Sequence, residues 1–194
     1  MYDFLIYAGA GMWASTMLSI YLQQLTGGAA LVGAAEGTQG MCMAMAAIPA
    51  GILADRLGRE RVLRYASAVG VLATLAMSAA LWAQAWWGAS EGQVYALMVA
   101  GLGCYGLFTG VSSPALDALL ADSMATGARA GLLTLKQMNV YVASATGPLL
   151  NLLCFACMGD AWDPLAVCAV MQAGLVVGAA GMSVIVSFDE RDAL

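Results

Sequence analysis

The 194-residue chain is 62% hydrophobic and 10% charged, against roughly 25% charged residues in a soluble domain, so no water-facing surface can be assembled from it. Its net charge of -5 offers no basic surface for nucleic acid, and the absence of histidine removes histidine relays and histidine metal sites. What remains is a series of apolar runs, each of the roughly 20 residues that a bilayer-spanning helix requires.

Six runs follow in chain order, at 4–25, 30–54, 62–84, 94–120, 131–154 and 165–187. They lack two-residue alternation and are too long for barrel strands. The expectation is an all-α membrane protein, one bundle of six transmembrane helices over residues 1–194. The start lacks a basic leader, and its first run outlasts a signal peptide, which predicts a retained first span. Pro49, Pro114 and Pro148 fall inside the second, fourth and fifth runs, as kinks or as ordinary packing irregularities. Gly33 with Gly37, and Gly174 with Gly178, have the small-xxx-small spacing of close helix crossings. The five cysteines, Cys42, Cys104, Cys154, Cys157 and Cys168, all lie in apolar runs. Cys154 and Cys157 are spaced CxxC, but no second pair or histidine completes a metal site. They read as packing residues, and no cofactor is implied.

The seven basic residues set the orientation. Arg56, Arg59, Arg61 and Arg64 follow the second run, Arg129 and Lys136 the fourth, and Arg191 the sixth. The turns after runs one, three and five hold none. The positive-inside rule then predicts cytoplasmic ends for spans two, four and six, with both termini cytoplasmic. Glu91, Asp160 and Asp163 mark the outer turns, with Trp82, Trp86, Trp87 and Trp162 as interfacial aromatics.

The stretch Gly51-Ile52-Leu53-Ala54-Asp55-Arg56-Leu57-Gly58-Arg59-Glu60-Arg61 joins the second and third runs. Asp55 sits at the carboxyl end of a helix, where the dipole is already negative and a carboxylate needs a cation. Gly58 permits the left-handed turn that ends the helix, and Arg59 is one turn from Asp55 if the helix continues. Asp122 ends run four in a second Leu-Ala-Asp triplet. The pattern G-x-L-A-D-R-x-G-R resembles the loop between spans two and three of the major facilitator superfamily of secondary transporters. The resemblance covers the whole chain as the amino-terminal half of such a transporter, a twelve-helix fold whose halves are each a 3+3 inverted repeat. It implies that the segment from Ser113 to Gln137 crosses from span four into span five, and that Asp55, Arg59 and Asp122 form a cytoplasmic gating relay. Gly51, Arg56 and Gly58 complete the motif, and Glu60 departs from it, standing where a second basic residue is usual. The plain alternative is a charged loop that only sets topology. Gly147-Pro148 matches part of an antiporter motif, but Ala143, Asn151 and Leu152 break it. Span four also lacks the arginine of the proton-coupled drug exporters.

In that fold spans one, two, four and five face the cavity, and polar residues collect in those four runs. The candidate substrate or proton residues are Trp13, Glu36, Gln39, Tyr105, Thr109, Asp117, Asn139 and Tyr141, in the company of Ser15, Thr16, Ser19, Thr38, Ser112, Ser113, Gln137 and Asn151. Glu36 stands out, since a charge deep in a span costs roughly 2.5–3.5 kcal/mol and needs water, a partner or a proton. The resemblance implies alternating-access transport of a small solute, with the bilayer and either an absent carboxyl-terminal half or a second copy as partners. The sequence ending, SFDERDAL, reads as the start of a central loop and points to a fragment. A six-span scaffold or regulatory protein is the competing class. An enzyme is not expected, for want of a histidine, a paired aspartate within a span or a nucleophile with its base.

Overall fold

The computed structural model describes residues 2–14, 16–122, 129–159 and 163–186. Ser15, Asp160, Trp162 and Arg191 lie outside these, as does residue 187 at the expected end of span six. Seven helices follow in order: α1 (Tyr2–Trp13), α2 (Thr16–Thr26), α3 (Ala29–Leu57), α4 (Arg59–Trp87), α5 (Glu91–Asp122), α6 (Arg129–Cys157) and α7 (Pro164–Val186). Six segments, α1 with α2 and each later helix alone, are long and apolar enough to cross a membrane. No strand occurs among the described residues. The chain is all-helical and multi-pass.

Span one, expected as a single helix over 4–25, is described as α1 and α2, which flank Ser15. Near the end of α1 the Met12 carbonyl accepts a hydrogen bond from the buried Asn151 amide at 3.0 Å. A side-chain donor on α6 thus satisfies backbone that a membrane interior cannot hydrate. The later helices outrun their apolar stretches: α3 carries Asp55 and Arg56 in its last turn, and α4 begins at Arg59. Backbone hydrogen bonding does not stop where the hydrocarbon does. The 32 residues of α5 span about 48 Å at 1.5 Å per residue, against about 30 Å of hydrocarbon, so its charged end projects from the core.

The connections are short. Gly58 alone separates α3 from α4, at φ 89°, where its N–H caps the Ala54 carbonyl at 3.1 Å. At the other end Asp163 and Pro164 start α7: the Asp163 carboxylate accepts from Ala166 N at 2.7 Å, and the proline takes the first helical position, where no N–H is needed.

The most extensive packing joins α5 to α3 and α4, and α1 to α6 and α7, with α4 against α7 linking the two groups. Apolar side chains gain little by leaving lipid for each other, so close backbone approach has to hold such helices together. Gly9 and Gly11 of α1 bring it against α7 and α6: a Cβ on Gly9 would lie 2.6 Å from Gly174 O, and one on Gly147 would lie 2.3 Å from the Gly11 carbonyl carbon. On α5, Gly106 and Gly110 lie against the backbone of Gln39 and Met43 in α3. Gly174 serves the crossing its spacing predicted, and the Gly178 backbone meets Gly9. Gly33 and Gly37 do not: a Cβ on either meets nothing within 4 Å. They lie on the uncovered side of α3.

Candidate functional site

Two polar constructions distinguish the bundle. The first lies where α4 begins. The turn at Gly58 directs the Arg59 side chain across to α5 rather than back along α3. Its Nη1 donates to the Ala118 carbonyl at 2.8 Å and pairs with the Asp122 carboxylate. Ala118 and Asp122 belong to the last two turns of α5, whose dipole end is negative. The guanidinium answers both. Asp55 is exposed and makes no ion pair among the described residues. Of the expected trio, Arg59 and Asp122 meet and Asp55 stays apart, because α3 ends before Arg59 and the one-turn spacing is never realised. Arg56 and Gly51 are exposed, and a Cβ on Gly51 would touch nothing.

The second is a cavity of about 160 Å³ bounded by α1, α3, α5 and α6, with no lining residue from α4 or α7. From α1 and the residue after it come Asp3, Tyr7, Ala10 and Ala14, spaced at three and four residues. From α5 come Tyr105, Thr109, Ser112 and Leu116 in the same spacing, with Phe108 and Ser113 beside them. Gln39 of α3 and Lys136 of α6 close the ring. Tyr105 is held from two sides. Trp13 meets it edge-on, with centroids 4.9 Å apart and planes at 88°, and Phe108 lies at 5.5 Å. The Thr109 hydroxyl is returned to its own helix, on the Tyr105 and Gly106 carbonyls at 3.1 and 3.0 Å.

Three charges gather at this cavity. Lys136 lies about 10 Å along α6 from its start at 1.5 Å per residue. Its side chain is 13% exposed and its ammonium pairs with Asp117. Asp3, half-buried on α1, stands in the field of both and of the chain's amino terminus. A lysine this far into a span requires a counter-ion, and Asp117 supplies it from the end of α5.

The expected site residues therefore divide. Gln39, Tyr105 and Thr109 line the cavity, as do Ser112 and Ser113. Asp117 reaches it through Lys136. Trp13 is buried behind Tyr105 and supports the wall. Glu36 is exposed and accepts a hydrogen bond from the Ser19 hydroxyl of α2 at 2.6 Å, so its partner is a neutral side chain in this chain. Asn139 is half-buried outside the wall, and Tyr141 is 67% exposed. Asp3, Tyr7 and Lys136 were not among the candidates. The spacing of Asp3, Tyr7, Ala10 and Ala14 was the available signal for the first two. For Lys136 it was the seven residues separating it from Arg129, two turns into a helix. No family model, curated protein or solved structure matches this chain.

Proposed function

We propose that the chain is a six-span bundle of a secondary transporter of the major facilitator type, moving a small solute by alternating access. One observation carries the reading: the polar cavity is walled by spans one, two, four and five alone. Those are the spans that face the central cavity in that fold. The packing pattern agrees. If spans one, two and three are exchanged with four, five and six, the pairs one–five and one–six become four–two and four–three, and three–six maps on itself. This is what a 3+3 inverted repeat requires. The Arg59–Asp122 tie and the G-x-L-A-D-R-x-G-R turn fit a latch on the cytoplasmic side, with the basic ends of spans two and four facing inward. Glycines 33, 37, 40 and 51 leave α3 with room for close backbone approach by another helix. A second six-span body, either another half or a second copy, belongs there.

Solute uptake tests the reading. A broad panel of labelled small solutes is offered to native membrane vesicles with and without overexpression of the chain. Saturable uptake that rises with expression is the expected result. Uptake unchanged for every solute would overturn transport and leave the six-span scaffold or regulatory reading. Purified residues 1–194 in lipid vesicles lack any separate second half that the native membrane supplies and are expected to be inactive, since one bundle supplies one wall. Saturable uptake there would assign the second body to another copy.

A further inference from the structure

We infer that one ordered water sits at the junction of α1, α4 and α5, held by the hydroxyls of Tyr2, Ser67 and Ser112. It ties the start of α1 to two helices that the α1 backbone does not approach. This goes beyond the transport reading and holds whether or not the chain moves a solute.

Two of the three hydroxyls are stranded. Ser67 of α4 is fully buried, and neither its Oγ nor the Tyr2 Oη has a hydrogen-bond partner. Burial in a span denies both the bulk water that would otherwise satisfy them, and an unmade bond on a buried hydroxyl destabilises the fold. Yet the Tyr2 hydroxyl faces Ser67 and Ser112 together. Asp3 and Tyr7 act on it only through space. Hydroxyls from three helices thus converge while the bond between Tyr2 and Ser67 stays unmade.

The gap has a structural cause. The α1 helix packs on α6 and α7, and among the described residues its backbone makes no contact with α4 or α5. Open volume adjoins the gap on both sides. Tyr2 and Leu116 line the polar cavity and also a second, largely apolar cavity of about 300 Å³, walled in part by Leu63, Leu119 and Val184. A buried water needs two to four polar partners and about 10–15 Å³ of room. Each hydroxyl both donates and accepts, as water does. A metal cation would use every oxygen as an acceptor, and three neutral hydroxyls offer no charge to balance it. The tie has a positional consequence: it fixes the first turn of α1, which brings Asp3 into the wall of the polar cavity.

The first test is a crystal structure of the full chain, grown from a lipid mesophase at a resolution that orders solvent. One water peak is expected about 2.5–3.0 Å from each of the three hydroxyls. A direct Tyr2–Ser67 hydrogen bond, or a Ser67 hydroxyl turned back on its own helix, with no peak at the junction, overturns the inference. The second test is thermal unfolding in detergent. Tyr2→Phe and Ser67→Ala are each expected to lower the midpoint by about 2–4 °C. The double variant should lose less than the sum of the two, because one water serves both hydroxyls. A Ser67→Ala midpoint at or above that of the wild type, or two losses that add in full, overturns the shared water. If a variant fails to fold, the wild-type solvent density decides alone.

Discussion

The guanidinium of Arg59 satisfies a backbone carbonyl and a carboxylate at once. A lysine offers a compact point charge in place of that fork, so Arg59→Lys should keep the attraction to Asp122 and lose the bond to Ala118. The pair is partly solvent-exposed, at 28% and 65% for the two side chains, so its coupling in a double-mutant cycle of Arg59→Ala with Asp122→Ala should be about 0.5–1 kcal/mol. Asp55→Asn should leave the unfolding midpoint in detergent unchanged. A loss with Asp55→Asn equal to that with Asp122→Asn would mean that Asp55 joins the tie. Which carboxylate Arg59 meets was not legible in the sequence. Both aspartates end a Leu-Ala-Asp triplet at a helix terminus, and the choice lies in the direction that Gly58 gives the chain. Trp13 and Tyr105 were equally ambiguous, since two aromatics in polar runs do not announce which shields the other. Lys136 was hidden for a different reason: it was counted with the loop, though the helix had begun two turns earlier.

At the scale of the helix, glycine spacing is an incomplete signal. Gly33 and Gly37 share with Gly106 and Gly110 a separation of four residues, and only the second pair touches a neighbour within the chain. A methyl group at Gly110 would lie 2.3 Å from the Met43 carbonyl oxygen, a backbone atom that cannot turn aside. Gly110→Ala should therefore force α5 from α3 and cost about 1–3 kcal/mol. Gly37→Ala has open space and replaces the poorer helix former, so the isolated chain should gain up to about 1 kcal/mol. Thermal unfolding of the two variants in detergent checks both signs, and equal destabilisation would refute the assigned crossings. Span positions were legible because each is a long apolar run. The tie between the Met12 carbonyl and the Asn151 amide was not, because its two ends lie on α1 and α6. The end of α3 and the start of α4 were each placed about a turn short, where charged residues continue the helix past the apolar stretch.

At the scale of the molecule, the expected orientation rests on charges lying far apart in the chain. Arg56, Arg59, Arg61 and Arg64 cluster where α3 meets α4, and Arg129 opens α6. These two regions lie at one end of the bundle, since α5 returns there from Glu91 and brings Asp122 to Arg59. The opposite end carries the turn after α4, where Trp86 and Trp87 are exposed at 76% and 74% and Glu91 begins the next helix. Moving the arginine-rich end across a membrane is the disfavoured insertion, which predicts a cytoplasmic placement for that end. The distribution of polar residues among spans one, two, four and five was legible, because it depends on which runs hold polar groups. The cavity's full charge set was not, because it depends on three helices meeting. The orientation is tested with single cysteines at Ser90 and Leu57, in a background with the native cysteines replaced. Both positions are exposed. An impermeant maleimide added to intact cells should label Ser90→Cys at once and Leu57→Cys only after permeabilisation. The reverse order would invert the bundle and move the Arg59–Asp122 tie to the outer face. Labelling of both positions in intact cells would mean that two orientations coexist, and that five arginines at one end do not fix the insertion of this chain.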